Sequence, residues 1–418
     1  MSEQTATPPV AVVGAGIVGV STAIWLQRAG KQAVLIDRRG PAAGTSFGNA
    51  GVLASASVVP VTVPGLIGKA PAMALDKRQP LFLNWSYLPR MLPWLARYLS
   101  HCNPKKVQRI AKALGPILNN SLEDHRALAA GTGAEKFITP AEYVYLYRDR
   151  AHFESDSFGW QVRKDNGFSW TEYEDADLRE FDPVFSTTQR FAASVHNLGR
   201  ISDPGLYVKT LAEHFVACGG KIIKAEIQGF ARHNNKITGV RADGETIDCS
   251  AAVIATGAWS KALMKDLGCS IPLEAERGYH IELYEPSVTP KHPSMVAEGK
   301  FVMTPMDGRL RFAGMVEFGG LIAGANKAPI DYLKGYIHRI LPNLAWTETK
   351  EWLGHRPAPT DSVPVIGEVP DVKGAYVGFG HQHVGLTGGA ITGKLIAGLV
   401  AGQPDTIDMS PYRADRFN

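Results

Sequence analysis

The fold turns on one stretch near the start of the chain: Val10-Ala-Val-Val13-Gly14-Ala15-Gly16-Ile17-Val18-Gly19. It runs on in helical character to Ala29, closes at Gly30, and leads through Ala33-Val-Leu-Ile36 to Asp37. Two short apolar runs flank a helical segment, with brief connections, which reads as a βαβ unit. Gly14 permits the tight turn out of the strand. Gly16 lets backbone approach a pyrophosphate, and Gly19 lets the helix pack closely on the sheet. The helix N-terminus then points amide groups and the positive end of its dipole at the phosphates. Asp37 lies 21 residues past Gly16, where a carboxylate accepts hydrogen bonds from ribose hydroxyls. The motif predicts a dinucleotide site without separating NAD from FAD.

The residues after the second strand do separate them. Pro41-Ala-Ala-Gly44-Thr45-Ser46-Phe-Gly48-Asn49-Ala50-Gly51 is small, polar and glycine-rich. A simple NAD domain would proceed here to another βα unit. A loop of small residues can instead pass under a flat ring and offer it backbone amides.

Outward from this unit, a second doubly wound fragment is expected in the middle of the chain. Asp203-Pro204 starts a helix as N-cap and first helical residue, with Tyr207, Leu211 and Phe215 at helical spacing and Gly219-Gly220 as its stop. Lys221–Ile227 reads as a strand. Ile237–Ala242 and Thr246–Cys249 read as a hairpin around Asp243-Gly244, and Ala251–Ala255 as a buried strand entering a Gly257 turn. The intervening Leu75–Asn197 differs in character. It has a Trp- and Leu-rich segment from Trp85 to Leu99, a helix with Val107, Ile110, Leu114 and Ile117 on one face, and a strand at Tyr143–Tyr147. Ile271–Met315 is again strand-rich, with Tyr279–Leu283 and Arg309–Phe312. The expected architecture is α/β (α+β): a Rossmann-like domain from residues 1–75, 198–270 and 346–418, and a sheet-based substrate domain from 76–197 and 271–345. At the end, Ala375–Phe379 is a strand, Gly380–Gly389 a turn, and Ala390–Ala401 a helix whose N-terminus can stabilise developing negative charge.

Composition sets bounds. The chain has 418 residues, 45% hydrophobic and 20% charged, enough for two domains. Its +4 net charge balances 44 basic against 40 acidic residues with no long basic tract, which argues against nucleic-acid binding. Cys102, Cys218, Cys249 and Cys269 form no C-x-x-C pair, so neither a redox dithiol nor a zinc knuckle is expected. Unpatterned cysteines fit a reducing cytosol. The first residues lack a positive n-region, and the long charge-free stretches carry Pro or dense Gly, so neither a secretory signal nor a spanning helix is expected.

Taken in order, the motifs resemble the D-amino-acid oxidase superfamily of FAD-dependent oxidoreductases. The nearest branch is the bacterial D-amino-acid dehydrogenases, with glycine oxidase next. The resemblance rests on Gly14–Gly19 with Asp37, Gly44-Thr-Ser-x-x-Asn49-Ala-Gly51, Asp203-Pro204 and Ala255-Thr-Gly257-Ala-Trp259. It continues through Gly354-His-Arg356-Pro357, Asp361-Ser-x-Pro364-x-Ile-Gly367 and Gly380-His-x-x-x-Gly385-Leu-Thr387. It implies FAD bound under a substrate-domain sheet. Gly14, Ala15, Gly16, Ile17, Val18 and Gly19 would form the fingerprint, and Asp37 would hold the adenosine ribose, with Arg38 beside it. Ser46, Gly48, Asn49, Ala50 and Gly51 would line the isoalloxazine, with Thr45 and Leu53 in the same site. Ile227 would touch adenine, Thr256-Gly257 the pyrophosphate beside Trp259, and Gly385, Leu386 and Thr387 the flavin pyrimidine edge. Some relatives attach the flavin through a His in the loop or a Cys after the substrate sheet. Here Gly48-Asn49 stand in the loop and no Cys follows Cys269, so FAD is expected to be non-covalent.

The implied chemistry is oxidative deamination of a D-amino acid or cyclic imino acid. The α-hydrogen leaves as hydride to flavin N5, and the imine hydrolyses in water. A substrate carboxylate needs a planar double donor. Arg356 matches the arginine that clamps carboxylate in glycine oxidase, and Arg277 competes for the role. The amine must be neutral, and His280, His355, His381 and His383 are available to help, His383 falling at a substrate-facing position. Tyr143 and Tyr279 are expected to wall the pocket. The Tyr87–Leu95 segment resembles the dehydrogenase branch, which implies a quinone or respiratory acceptor and peripheral contact with the inner face of the membrane. A glycine/sarcosine-type oxidase, an FAD subunit of a hetero-oligomeric amine dehydrogenase, and an NAD dehydrogenase are the alternatives. The last is disfavoured by the Gly44–Gly51 loop and the Gly-His turn.

Overall fold

The strand Val10–Val13 sits inside a six-stranded sheet, buried at all four positions. Across that sheet the order is Val365–Glu368, Ala375–Phe379, Ala251–Ile254, Val10–Val13, Ala33–Ile36 and Lys221–Ile223. Every pairing is parallel except Val365–Glu368 with Ala375–Phe379. Both faces are covered, which is why these strands are continuously apolar. On one face Val10 and Val12 meet the helices Ile17–Arg28, Pro204–Ala217 and Gly389–Ala401. On the other, Ala11 and Val13 meet a three-stranded sheet spanning Ile227–Asp248. The computed structural model describes residues 7–68 and 80–417; the expected boundary at 75/76 lies outside them.

Local signals translate directly. The Asp203 carboxylate caps its helix by accepting from Leu206 N at 2.9 Å. Lys236–Ala242 and Glu245–Asp248 form the expected hairpin, with Asp243 and Gly244 both at positive φ as a two-residue turn of this kind requires. Val107, Ile110, Leu114 and Ile117 are all buried on the Pro104–Leu118 helix.

A ten-stranded sheet forms the second layer. Its main path runs Glu348–Pro359, Leu273–Tyr284, Arg309–Phe318, Phe301–Met306, Ser294–Val296, Ile138–Tyr147, Phe191–Ile201 and Val52–Leu53. The helix Lys327–Ile340 packs beneath one end. The 346–418 piece therefore needs correction at its start. Glu348–Pro359 pairs in unbroken register with Leu273–Tyr284, from Leu273/Pro359 to Tyr284/Glu348. It belongs to the larger sheet, because a twelve-residue strand is held by its ladder and not by the chain segment it opens.

A buried ionic network fastens this sheet to the glycine-rich loop. Glu282 accepts from Arg309 Nε at 2.6 Å and from Arg311 Nε and Nη2 at 3.0 and 2.6 Å. Arg309 also donates to the Asp203 carboxylate at 2.8 Å. Arg311, with no exposed surface, donates to the carbonyl oxygens of Phe47 and Asn49. Burial pushes the Glu282 carboxyl up, but the two guanidiniums outweigh it and hold the group down at about 2. Removing one member of a buried charge set leaves another uncompensated, typically at a cost of about 3–5 kcal/mol. Arg311→Met should destabilise by that order and weaken flavin binding, read as a lower urea midpoint and a raised flavin Kd. An unchanged midpoint and Kd would show that the loop is fixed by something else.

Candidate active site

Where the Val10–Val13 strand ends, the chain opens a cleft with about 1510 Å³ of empty space, its mouth included. Gly14 has φ +106°, and a Cβ there would strike the Ala255 carbonyl. The helix Ile17–Arg28 begins at Gly16, which has no side chain to cap the first turn and so leaves donors there for a ligand. Ser46 Oγ accepts from Ile17 N at 3.0 Å, pinning the loop against that terminus. Just past the next strand, Asp37 accepts from the amides of Ala15, Arg39 and Gly40 at 2.9, 2.8 and 3.0 Å. Its carboxylate is fixed at the rim, and Arg38 lies over the Trp259 ring at 4.3 Å.

Among the expected cofactor residues, Gly14, Gly16, Ile17, Val18, Asp37, Arg38, Thr45, Ser46, Asn49, Ile227, Thr256, Gly257, Trp259, Gly385 and Leu386 line this cleft. Ala15, Gly19, Ala50, Gly51, Leu53 and Thr387 do not. Gly19 lies beneath, where a Cβ would run into the Gly14 carbonyl. Thr387 is turned to the backbone, donating to Val52 O and accepting from Ala54 N. Arg39, Glu226 and Phe379 line the cleft without having been expected; no spacing rule points to them. A cleft lined by the turn into a helix N-terminus, a fixed carboxylate and a loop of small residues fits FAD.

At its inner end the cleft meets the ten-stranded sheet. Strand alternation puts Glu276, His280 and Glu282 on one face, and the cross-strand partners Arg356 and Trp352 share it. Arg356 is 17% exposed at its side chain. It donates through Nη1 to Glu276 at 2.8 Å and Met315 O at 2.9 Å, and through Nη2 to Gly314 O at 3.0 Å. Of five guanidinium donors, three are engaged and two remain. Gly278 makes room for the guanidinium, since a Cβ there would overlap it.

His383 lies nearby. It is an exposed residue by surface area, yet enough protein surrounds it that burial, with the Arg356 charge second, lowers its pKa to about 4. The structure thus brings Arg356 and His383 together. Arg277 is 1% exposed and engaged with Glu317, Ala323 O and Gly324 O, which leaves it unsuited to clamp a substrate.

The two tyrosines do not join this pair. Tyr279 packs with Ile281 and Leu283 in the core under the sheet, its hydroxyl bonded to Glu317 and to Asn326 N. Tyr143 is enclosed with Tyr145, Trp160, Val52 and Ala54, and four strands separate its strand from that of Arg356. The pleat turns Tyr279 to the face opposite Arg356, and Tyr143 packs instead against Ala50, Val52 and Ala54 after the glycine-rich loop. The other histidines are structural neighbours. His381 meets Thr392 Oγ1 at 2.9 Å, His280 meets Gly48 O at 3.1 Å, and the Nε2 of His355 has no partner among the described residues.

A cleft of this form at the carboxyl ends of parallel strands, under a mixed sheet carrying an arginine, defines a two-domain flavoprotein of the oxidoreductase class. The model of the DAO family, FAD dependent oxidoreductases, matches residues 9–399, and the chain belongs to that family. It is 37% identical over 415 residues to a D-amino-acid oxidase of Bradyrhizobium diazoefficiens, covering 98% of both chains. It is 28% identical to a D-amino acid dehydrogenase of Allorhizobium ampelinum, again over 98% of both. Among solved structures, glycine oxidase from Geobacillus kaustophilus superposes with a TM-score of 0.76 at 18% identity, over 98% of this chain and 99% of that one.

Five histidines around this site are held neutral mainly by burial. The pKa falls to about 4 for His125, His355, His381 and His383, and to about 3 for His280. The unfolded chain therefore takes up protons that the folded chain refuses, starting near the ordinary imidazole value of about 6.5. Stability should be complete above that pH and fall as pH drops towards 4. A melting temperature clearly lower at pH 5 than at pH 7.5 is expected; equal values would mean the imidazoles are charged in the fold.

Proposed function

We propose that the chain oxidises a D-amino acid or a cyclic imino acid, with Arg356 binding the substrate carboxylate and His383 facing its nitrogen. The observation that carries this reading is the pair itself: two unengaged guanidinium donors near a neutral imidazole, each one residue along the chain from the cleft-lining Pro357 and Gln382. The planar fork fixes distance and angle together, which a lysine ammonium cannot do. Glu276, Gly314 and Met315 hold that fork still, so little ordering is left for the moment of binding. Unprotonated, His383 can accept a hydrogen bond from the substrate nitrogen and hold it in place, while the ammonium proton leaves to water. The sheet above excludes water from the reacting carbon.

FAD, bound non-covalently along the cleft from Asp37 to Gly385, supplies the two-electron acceptor for the α-hydrogen. The fingerprint Gly14–Gly19 and Thr256-Gly257 would hold its phosphates, with Ala15 and Gly19 shaping the turn from behind. Thr45, Ser46 and Asn49 would lie by the isoalloxazine, with Ala50, Gly51, Leu53 and Thr387 supporting them. In this reading the nucleotide domain is residues 1–75, 198–270 and the part of 346–418 beyond Pro359. Residues 76–197 and 271–345, joined by the Glu348–Pro359 strand, form the substrate roof.

For the acceptor, we favour a quinone or respiratory carrier. Trp85, Leu92 and Ile322 are 55%, 51% and 98% exposed on adjoining segments, an apolar surface suited to peripheral contact with a membrane. No helix among the described residues is long and apolar enough to cross one. A glycine- or sarcosine-type oxidase is the second reading, favoured by the glycine oxidase fold match.

Arg356→Lys should retain flavin and fold yet lose about a hundredfold in kcat/KM, roughly 3 kcal/mol. Arg356→Ala should fall further and discriminate less between an amino acid and the matching amine. Wild-type turnover by the alanine variant would make Arg356 structural. Acid precipitation should release all yellow colour to the supernatant, and dye reduction should outpace oxygen consumption. Colour in the pellet would mean covalent flavin, and equal rates would mean an oxidase.

A further inference from the structure

Trp352 is held more tightly than a wall of a generic pocket requires. Its indole stacks on His280 at 5.0 Å between centroids and 17° between planes. It presses on the loop backbone at Gly48, where any Cβ would overlap the ring, and it folds back over Gly354, where the same holds. Phe47 closes a further side, with centroids 6.3 Å apart. His280 is itself tied to Gly48 O at 3.1 Å, so indole, imidazole and loop form one rigid unit.

The direction of the ring matters as much as its packing. Trp352, Gly354 and Arg356 alternate onto one face of their strand, and Gly354 pairs in register with Gly278. Arg356 occupies the space above Gly278, while the indole occupies that above Gly354. The two side chains thus approach each other over a glycine pair, between the sheet and the loop.

We propose that Trp352 is the wall that limits the size of the substrate side chain. The inference rests on the reading of Arg356 as the carboxylate clamp. With the carboxylate fixed there, the α-carbon substituent has its reach towards the Gly48 loop bounded by the indole. The expected substrates carry small side chains, and the rigid backing prevents the ring from swinging aside for larger ones.

The test uses flavin-loaded wild type, Trp352→Phe and Trp352→Ala. Flavin absorbance titrations with acetate and phenylacetate give Kd values, and D-alanine and D-phenylalanine give kcat/KM. Trp352→Ala should raise the preference for the phenyl member over the methyl member at least tenfold in both measures, with Trp352→Phe between. If both members change by the same factor, Trp352 only props the loop, and the proposal is overturned. Failure of the Arg356 reading looks different: the wild-type flavin spectrum would not respond to carboxylates, or Arg356→Lys would bind them as wild type does.

Discussion

The buried contact of Arg311 with Glu282 and with the carbonyls of Phe47 and Asn49 joins the two halves of the molecule. Without it the glycine-rich loop would have few restraints of its own, since its residues are small and its backbone irregular. A guanidinium suits the task because it can donate to a carboxylate on one edge and to carbonyls on another. The arrangement is electrostatically expensive, so it is completed on all sides. Arg309 shares Glu282 and reaches Asp203, which in turn caps the Pro204–Ala217 helix. Loop, roof sheet and nucleotide domain are held in one register by a chain of buried charges.

The same sheet face makes room for function by leaving side chains out. Gly278 and Gly354 face each other across the ladder, and the space they vacate is filled by the Arg356 guanidinium and the Trp352 indole. Elsewhere a glycine inside a strand weakens the sheet; here it lets two large side chains lie flat against the backbone. Both are then positioned by packing, which is more exact than placement on a mobile loop.

Arg356 carries the positive charge, partly offset by Glu276, and the histidines around it are held neutral. Their depressed pKa values have one dominant cause, removal from water, with nearby guanidiniums adding to it at His280, His355 and His383. A neutral imidazole beside a cation can accept a hydrogen bond without adding a second charge.

The sequence by itself determined whatever depends on neighbours in the chain. The Gly14–Gly19 turn, the Asp203 cap and the Asp243-Gly244 hairpin are local, because a glycine's φ or a cap's hydrogen bond is satisfied within a few residues. The order of motifs was also enough to indicate the family and its cofactor. Only the tertiary structure decided which side chains share a space. It moved the Glu348 strand into the roof sheet, turned Tyr279 to the core, set four strands between Tyr143 and Arg356, and brought Trp352 and Glu276 to Arg356. Register and pleat made those choices. Both are fixed by long-range ladders, in which a shift of one residue would send every side chain to the other face.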